Sequence, residues 1–237
     1  MKKIIIPLML IGLALNSAII SSGNTATINA ASCSHEHVQA AINSAFSSDI
    51  VNVPSGDCAW TAGITIPDSK KITLRGSGID STIIRNPLTT QVVLQVGHSA
   101  SRITGFTFNE ILIYAGSGEP RIDHNKFYTA TTVPGSGVYF KSNNFPENNA
   151  PQGLVDNNVF YNCRVVVFAG HTLMANTQWT LPLDLGKGDH AVYVEDNEFY
   201  RTYTTCANVI DANYGGAYVF RYNTIHGINA YLRMCPQ

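Results

Sequence analysis

The sequence predicts an all-β chain wound as a parallel β-helix, with one short helix capping its N-terminal end. Three observations carry this. A short motif, apolar–x–x–Asn–x–Phe/Ile, recurs along the chain, and a second apolar stretch of strand character follows each copy. Charged residues make up only 13% of the chain while Gly, Asn, Thr and Ser are plentiful, a composition suited to many tight turns.

The motif copies are RITGFTF (102–108), RIDHNKF (121–127), LVDNNVF (154–160), YVEDNEF (193–199) and VFRYNTI (219–225). The first has Phe106 where the others have Asn125, Asn158, Asn197 and Asn223. The following stretches are ILIYAG, GVYFK, RVVVFAG, NVIDAN and INAYLRM. Upstream, DIVNVP, KITLRG, STIIRN and VVLQV read as strands without the Asn step. The closing Phe or Ile falls at 108, 127, 160, 199 and 225, near the spacing of stacked repeats. A unit of short strands with irregular insertions fits this spread, each coil lying about 4.8 Å from the last. An antiparallel sandwich is the competing architecture, but it gives no reason for an Asn at one recurrent place.

Asn tolerates the left-handed backbone region, so it is expected at the sharp corner between two strands. Its amide can also bond to those above and below, as in stacked cross-β ladders. Phe127, Phe160 and Phe199 should then point inward as a stacked column, closed by Ile225. The fragments RGSG (75–78) and GSGVY (135–139) read as solenoid corners rather than phosphate loops, because neither precedes a predicted helix.

At the N-terminus, Lys2 and Lys3 precede an apolar run from Ile4 to about Leu15, the pattern of a secretory signal peptide. The leader is expected within residues 1–31, cleaved between about Ala18 and Ala31, and the β-helix domain over 32–237. The apolar run is shorter than the ~20 residues a bilayer requires, so no membrane span is expected in the mature chain. The protein should be secreted or held at the cell surface. Residues 34–46, SHEHVQAAINSAF, place Val38, Ala41, Ile42, Ala45 and Phe46 at helical spacing with Ser34 as N-cap. That helix would cover the first coil's open edge. The chain stops at YLRMCPQ just after a strand, which reads as truncation or as an end that a partner covers.

Five cysteines in an exported chain suggest structural disulfides, drawn from Cys33, Cys58, Cys163 and Cys206, with Cys235 left over. Net charge is −1 and no basic run or stripe appears, which argues against a nucleic-acid partner.

The opening SCSHEHVQAAINSAFSSDIVNVPSGDCAWT, followed by ITLRGSG and the late block GDHAVYVEDNEFY, resembles exported bacterial right-handed parallel β-helix repeat proteins of the pectate-lyase-like superfamily. The resemblance covers nearly the whole mature chain and implies the fold, right-handed. Pectate lyases of that superfamily use clustered Asp residues to hold Ca²⁺ and an Arg as base, and related hydrolases use paired Asp residues. Neither constellation maps here residue by residue, and fold analogy carries no chemistry.

Two groups of residues are candidates for function. Asp123, Asp156 and Glu195 fall in one column of the repeat, where like charges ~5 Å apart repel by about 1 kcal/mol in water. A Ca²⁺ ion would offset that, since carboxylate oxygens are its ligands. The favoured expectation is a solvated, partly salt-bridged face with Glu195 beside Arg221, and no cofactor is required. The second group sits on insertions 141–153 and 169–190, which leave the same corner of successive coils and should wall a groove. His171 or His190 would act as general base, oriented by Asp211 or Asp189. Trp179, Asn213 and Tyr214 would hold a sugar polymer. The plainer alternative is that Trp179 pins a long loop and Asp211 caps a turn. The expected function is binding of an extracellular polysaccharide, with cleavage by lyase or hydrolase chemistry as its catalytic version. A non-catalytic, adhesin-like solenoid is the competing class.

Overall fold

A computed structural model describes residues 25–97, 99–116, 118–130, 135–141, 151–168, 191–202, 208–213 and 216–227. The fold is a right-handed parallel β-helix, and the described residues form three parallel sheets and one helix. The first sheet stacks β1 (Thr27–Asn29), β2 (Ile50–Asn52), β5 (Thr73–Arg75), β8 (Arg102–Thr104), β11 (Arg121–Asp123), β14 (Gly153–Asp156), β17 (Val192–Glu195) and β20 (Tyr218–Arg221). The second stacks β3 (Gly56–Ala59), β6 (Thr82–Arg85), β9 (Thr107–Asn109), β12 (Lys126–Tyr128), β15 (Val159–Tyr161), β18 (Glu198–Arg201) and β21 (Thr224–Gly227). The third stacks β4 (Ile64–Ile66), β7 (Val92–Val96), β10 (Ile111–Ala115), β13 (Gly135–Lys141), β16 (Cys163–Phe168) and β19 (Ile210–Asn213). The last expected strand, INAYLRM, lies outside the described residues.

Alternation along each strand sends one set of side chains inward. On the second sheet Phe108, Phe127, Phe160, Phe199 and Ile225 occupy one register row. Ring centroids along it are 5.5, 4.8 and 4.8 Å apart, so the expected aromatic column forms. Each buried ring contributes about 1.5–3 kcal/mol of transfer free energy. Ile103, Ile122, Val155 and Val194 form the matching row of the first sheet, and Leu94, Ile113, Val138 and Val165 that of the third.

The Asn ladder forms, but Asn does not make the bend. The left-handed residue is the one before it: Gly105, His124, Asn157, Asp196 and Tyr222 have φ of 80°, 53°, 54°, 54° and 59°. Asn125, Asn158 and Asn197 turn inward and are buried. Asn125 Nδ2 donates to Asn158 Oδ1 at 3.2 Å, Asn158 to Asn197 at 3.0 Å and Asn197 to Asn223 at 3.0 Å. Each Oδ1 also accepts the backbone N–H of the preceding coil's residue at that rung, from Phe106, Asn125, Asn158 and Asn197 in turn. The bend sits one position earlier because the ladder needs the amide inside, where it satisfies backbone groups that no strand partner reaches. RGSG does fall at a corner, with Gly78 at φ 132°, whereas GSGVY lies in β13, with a register shift between Ser136 and Val138.

The capping helix α1 spans His35–Ser44, with Ser34 as N-cap. Val38, Ala41 and Ile42 are buried and Ala45 closes the helix, as expected. Phe46 is not part of that face and is 80% exposed. Ala45 is already extended, so helical spacing no longer applies at Phe46, whose N–H is held by Asp49 Oδ2 at 2.8 Å. Gln39 covers the edge of the third sheet: its Nε2 donates to Thr65 O at 3.0 Å and its Oε1 accepts Thr65 N–H at 2.7 Å. A side-chain amide thus replaces a missing strand partner.

The solenoid starts earlier than residue 32, because β1 pairs in register with β2 and Ala26 N–H donates to Asp49 Oδ1. Cys33 and Cys58 form a disulfide, and Trp60 Nε1 donates to Cys33 O beside it. A Cβ at Gly56 would lie 2.7 Å from Cys33 Sγ, so only glycine lets the bridge pass. Cys163 is a buried free thiol rather than half of a disulfide, which corrects its expected pairing. Its side chain faces the core, where burial pushes its ionisation well above the usual thiol range. Cys206 and Cys235 lie outside the described residues.

Candidate functional site

The outer face of the third sheet is where the predicted groove residues that are described come together. β13 and β16 end at a matched pair, Lys141 and Phe168, and β19 continues the row with Asn213. β13 and β16 therefore end on adjacent rungs of one corner; segments 142–150 and 169–190, expected to wall a groove there, lie outside the described residues. Asp211 and Asn213 both lie on β19 and are half-buried. His171, Trp179, Asp189, His190 and Tyr214 lie outside the described residues, so no geometry joins them to Asp211.

What the sequence reading missed is the rest of this face. Tyr114 and Tyr139 stack at 5.7 Å with planes 10° apart, and Tyr139 stacks on Phe168 at 6.3 Å and 28°. Lys141 Nζ lies 5.7 Å from the Phe168 centroid. Arg164 Nη1 contacts Asp211 Oδ2 at 3.4 Å, so the carboxylate expected to orient a histidine is paired with a guanidinium. Burial, the Tyr114 phenol and the Asp211 charge raise the Tyr139 phenol above its usual range, which keeps it a neutral donor. The signal was present: ILIYAG and GVYFK put Tyr at the same outward position of consecutive coils.

The acidic column of the first sheet is assembled as predicted: Asp123, Asp156, Glu195 and Arg221 share one row. Every carboxylate in it is taken by arginine. Arg102 grips Asp123 at 2.7 and 2.5 Å, Arg121 grips Asp156 at 3.0 and 2.7 Å, and Arg221 Nε donates to Glu195 at 2.9 Å. His124 Nδ1 adds a 2.7 Å bond to Asp123. Calcium would have to displace these guanidiniums, and no group of three metal-ligating side chains is placed to hold an ion among the described residues. The row is salt-bridged, with Glu195 beside Arg221, but it is not the solvated face expected, because Asp123 and Asp156 are buried beneath their arginines.

A cleft of about 520 Å³ opens at the first corner of the early coils, lined by Asn29, Val53, Pro54, Arg75 and Ser77 among others. Arg75 Nε donates to Asn52 at 2.8 Å, and Asn52 donates to Asn29 at 3.1 Å. None of the predicted site residues lines it.

No protein-family model, curated protein or solved structure matches the chain. The chemistry of the site has to be read from its own residues. Among the described residues, no helix is long and apolar enough to cross a membrane.

Proposed function

We propose that this is an exported β-helix protein, of the pectate-lyase-like kind its sequence resembles, that binds an extracellular polysaccharide on the outer face of its third sheet. One observation carries the reading: Tyr114, Tyr139 and Phe168 form a half-buried aromatic row flanked by Lys141, Arg164, Asp211 and Asn213. A sugar chain presents apolar C–H faces between hydroxyls, and ring bodies beside fixed donors and acceptors complement both. Rungs of the sheet lie about 4.8 Å apart and Tyr114 and Tyr139 repeat at one register position, so an extended polymer can lie across successive rungs. The Cys33–Cys58 disulfide and the leader-like N-terminus support export.

Binding is proposed and cleavage is not. Of the catalytic candidates only Asp211 is described, and it is paired with Arg164. The test is affinity electrophoresis against a panel of soluble acidic and neutral polysaccharides, alongside an assay for unsaturated, ultraviolet-absorbing products. The expected result is retardation by at least one polymer, weakened about fivefold by Tyr139→Ala with the circular dichroism spectrum unchanged, one such contact being worth about 1 kcal/mol. Migration unaffected by every polymer, or retardation insensitive to Tyr139→Ala and Asp211→Ala, overturns the proposal.

A further inference from the structure

The corners that follow the first sheet differ along the solenoid. From β8 onward the connection to the second sheet is short, as at 105–106 and 124–125, and the Asn ladder closes it. Upstream, β2 reaches β3 through 53–55 and β5 reaches β6 through 76–81. These wider corners carry no Asn, and the cleft of about 520 Å³ opens against them. Ala30, Val53 and Pro54 give it apolar walls, and its one charged lining residue is Arg75.

Arg75 is exposed, and its Nε donates to Asn52 Oδ1 at 2.8 Å, which fixes the guanidinium along the register row Asn29, Asn52, Arg75. Among the described residues, Nη1 and Nη2 make no hydrogen bond or ion pair. That sets this arginine apart, because Arg85, Arg102, Arg121, Arg164 and Arg221 are each paired with a carboxylate. The acids adjoining the wide corners are committed elsewhere: Asp57 on β3 to Arg85, and Asp80 on the second connection to Lys126. Asn29 accepts from Asn52 through Oδ1, so its own Nδ2 is a further donor at the rim.

We propose that this cleft is a binding site for a small organic carboxylate with an apolar body. With Nε spent on Asn52, the end of the guanidinium presents one N–H from each Nη in parallel, and the two oxygens of a planar carboxylate accept both. The hydrocarbon part of the ligand lies on Ala30, Val53 and Pro54, in a cleft of ordinary small-molecule size. A tetrahedral inorganic oxyanion would satisfy the charge and leave those walls to water. The site belongs to a different sheet from the aromatic glycan-binding face, so the two are tested apart.

The test is isothermal titration of the full chain with benzoate, against benzyl alcohol, which keeps the ring without the charge, and inorganic sulfate, which keeps a charge without the ring. Benzoate is expected to bind in the millimolar range and the other two at least tenfold more weakly. Arg75→Met should weaken benzoate at least tenfold with melting temperature unchanged, since the side chain is exposed, while Tyr139→Ala leaves benzoate binding as it was. Arg75→Lys keeps the charge and loses the planar fork, so it should also weaken binding several-fold. A crystal soaked in 4-bromobenzoate should show anomalous bromine density in the cleft, with the carboxylate on Nη1 and Nη2. Sulfate binding as tightly as benzoate, Arg75→Lys binding as tightly as the parent, or bromine absent from the cleft overturns the proposal. Should Arg75→Met fail to fold, the crystal decides alone.

Discussion

Asp123 has no exposed side-chain surface, yet it keeps its charge. Burial alone would raise its carboxyl, but the Arg102 and His124 hydrogen bonds, with the charges of Arg102 and Arg121, hold it below the usual range. A depressed folded value means stability that is fully present above the unfolded value and lost as pH falls through the folded one. Asp123→Asn should therefore be less stable than the parent at pH 7 by about 2 kcal/mol, because it leaves Arg102 without its bidentate partner. The gap should narrow below about pH 4. Urea titrations of both proteins between pH 2 and 7 check this, and a constant gap would show that the loss is packing and not charge. The residues themselves were legible in the sequence, as was their column. Their arginine partners were not, because Arg102 and Arg121 reach across to the next coil and sit two positions from the column they neutralise.

At the scale of elements, the N-terminal cap shows how an edge is closed. Helix α1 covers the core with Val38, Ala41 and Ile42, Gln39 completes the hydrogen bonds of β4, and Lys70 Nζ donates to the carbonyls of Ile42 and Asn43 at the helix end, 2.7 Å in each case. The Cys33–Cys58 bridge ties this cap to the second sheet. Reduction, or Cys33→Ala with Cys58→Ala, should lower stability by roughly 3 kcal/mol, the scale for closing a loop of this size. Hydrogen exchange should show the loss first in α1 and β1–β4. Equal loss of protection in β14–β18 would mean the bridge acts on the whole solenoid. The helix and its apolar face were predictable from periodicity. Phe46 was misassigned because helical spacing continues in the letters after the backbone has left the helix.

Across the whole molecule, contacts run from each coil to the next, so energetic coupling should decay along the axis. The Asn ladder makes this measurable. Asn125→Ala and Asn158→Ala should each destabilise strongly, by about 3 kcal/mol, since both amides serve several buried backbone groups. The double mutant should fall short of the sum by about 1 kcal/mol, because the two amides share a bond. Asn125→Ala with Asn223→Ala, three rungs apart, should be additive. Coupling of equal size in both pairs would argue for one indivisible cooperative unit.

The sequence by itself determined the strand repeat, the inward Phe column, the Asn rungs and the capping helix. These depend on side-chain alternation and short-range spacing, which a linear pattern records. The tertiary structure decided where the chain bends, since the ladder requires Asn inside and leaves the left-handed corner to the residue before it. It also decided the arginine partners of the acidic column, the free thiol at Cys163 and the aromatic row on the third sheet. Each of these is set by which rung stacks on which, and irregular insertions between coils hide that register from anything but the folded chain.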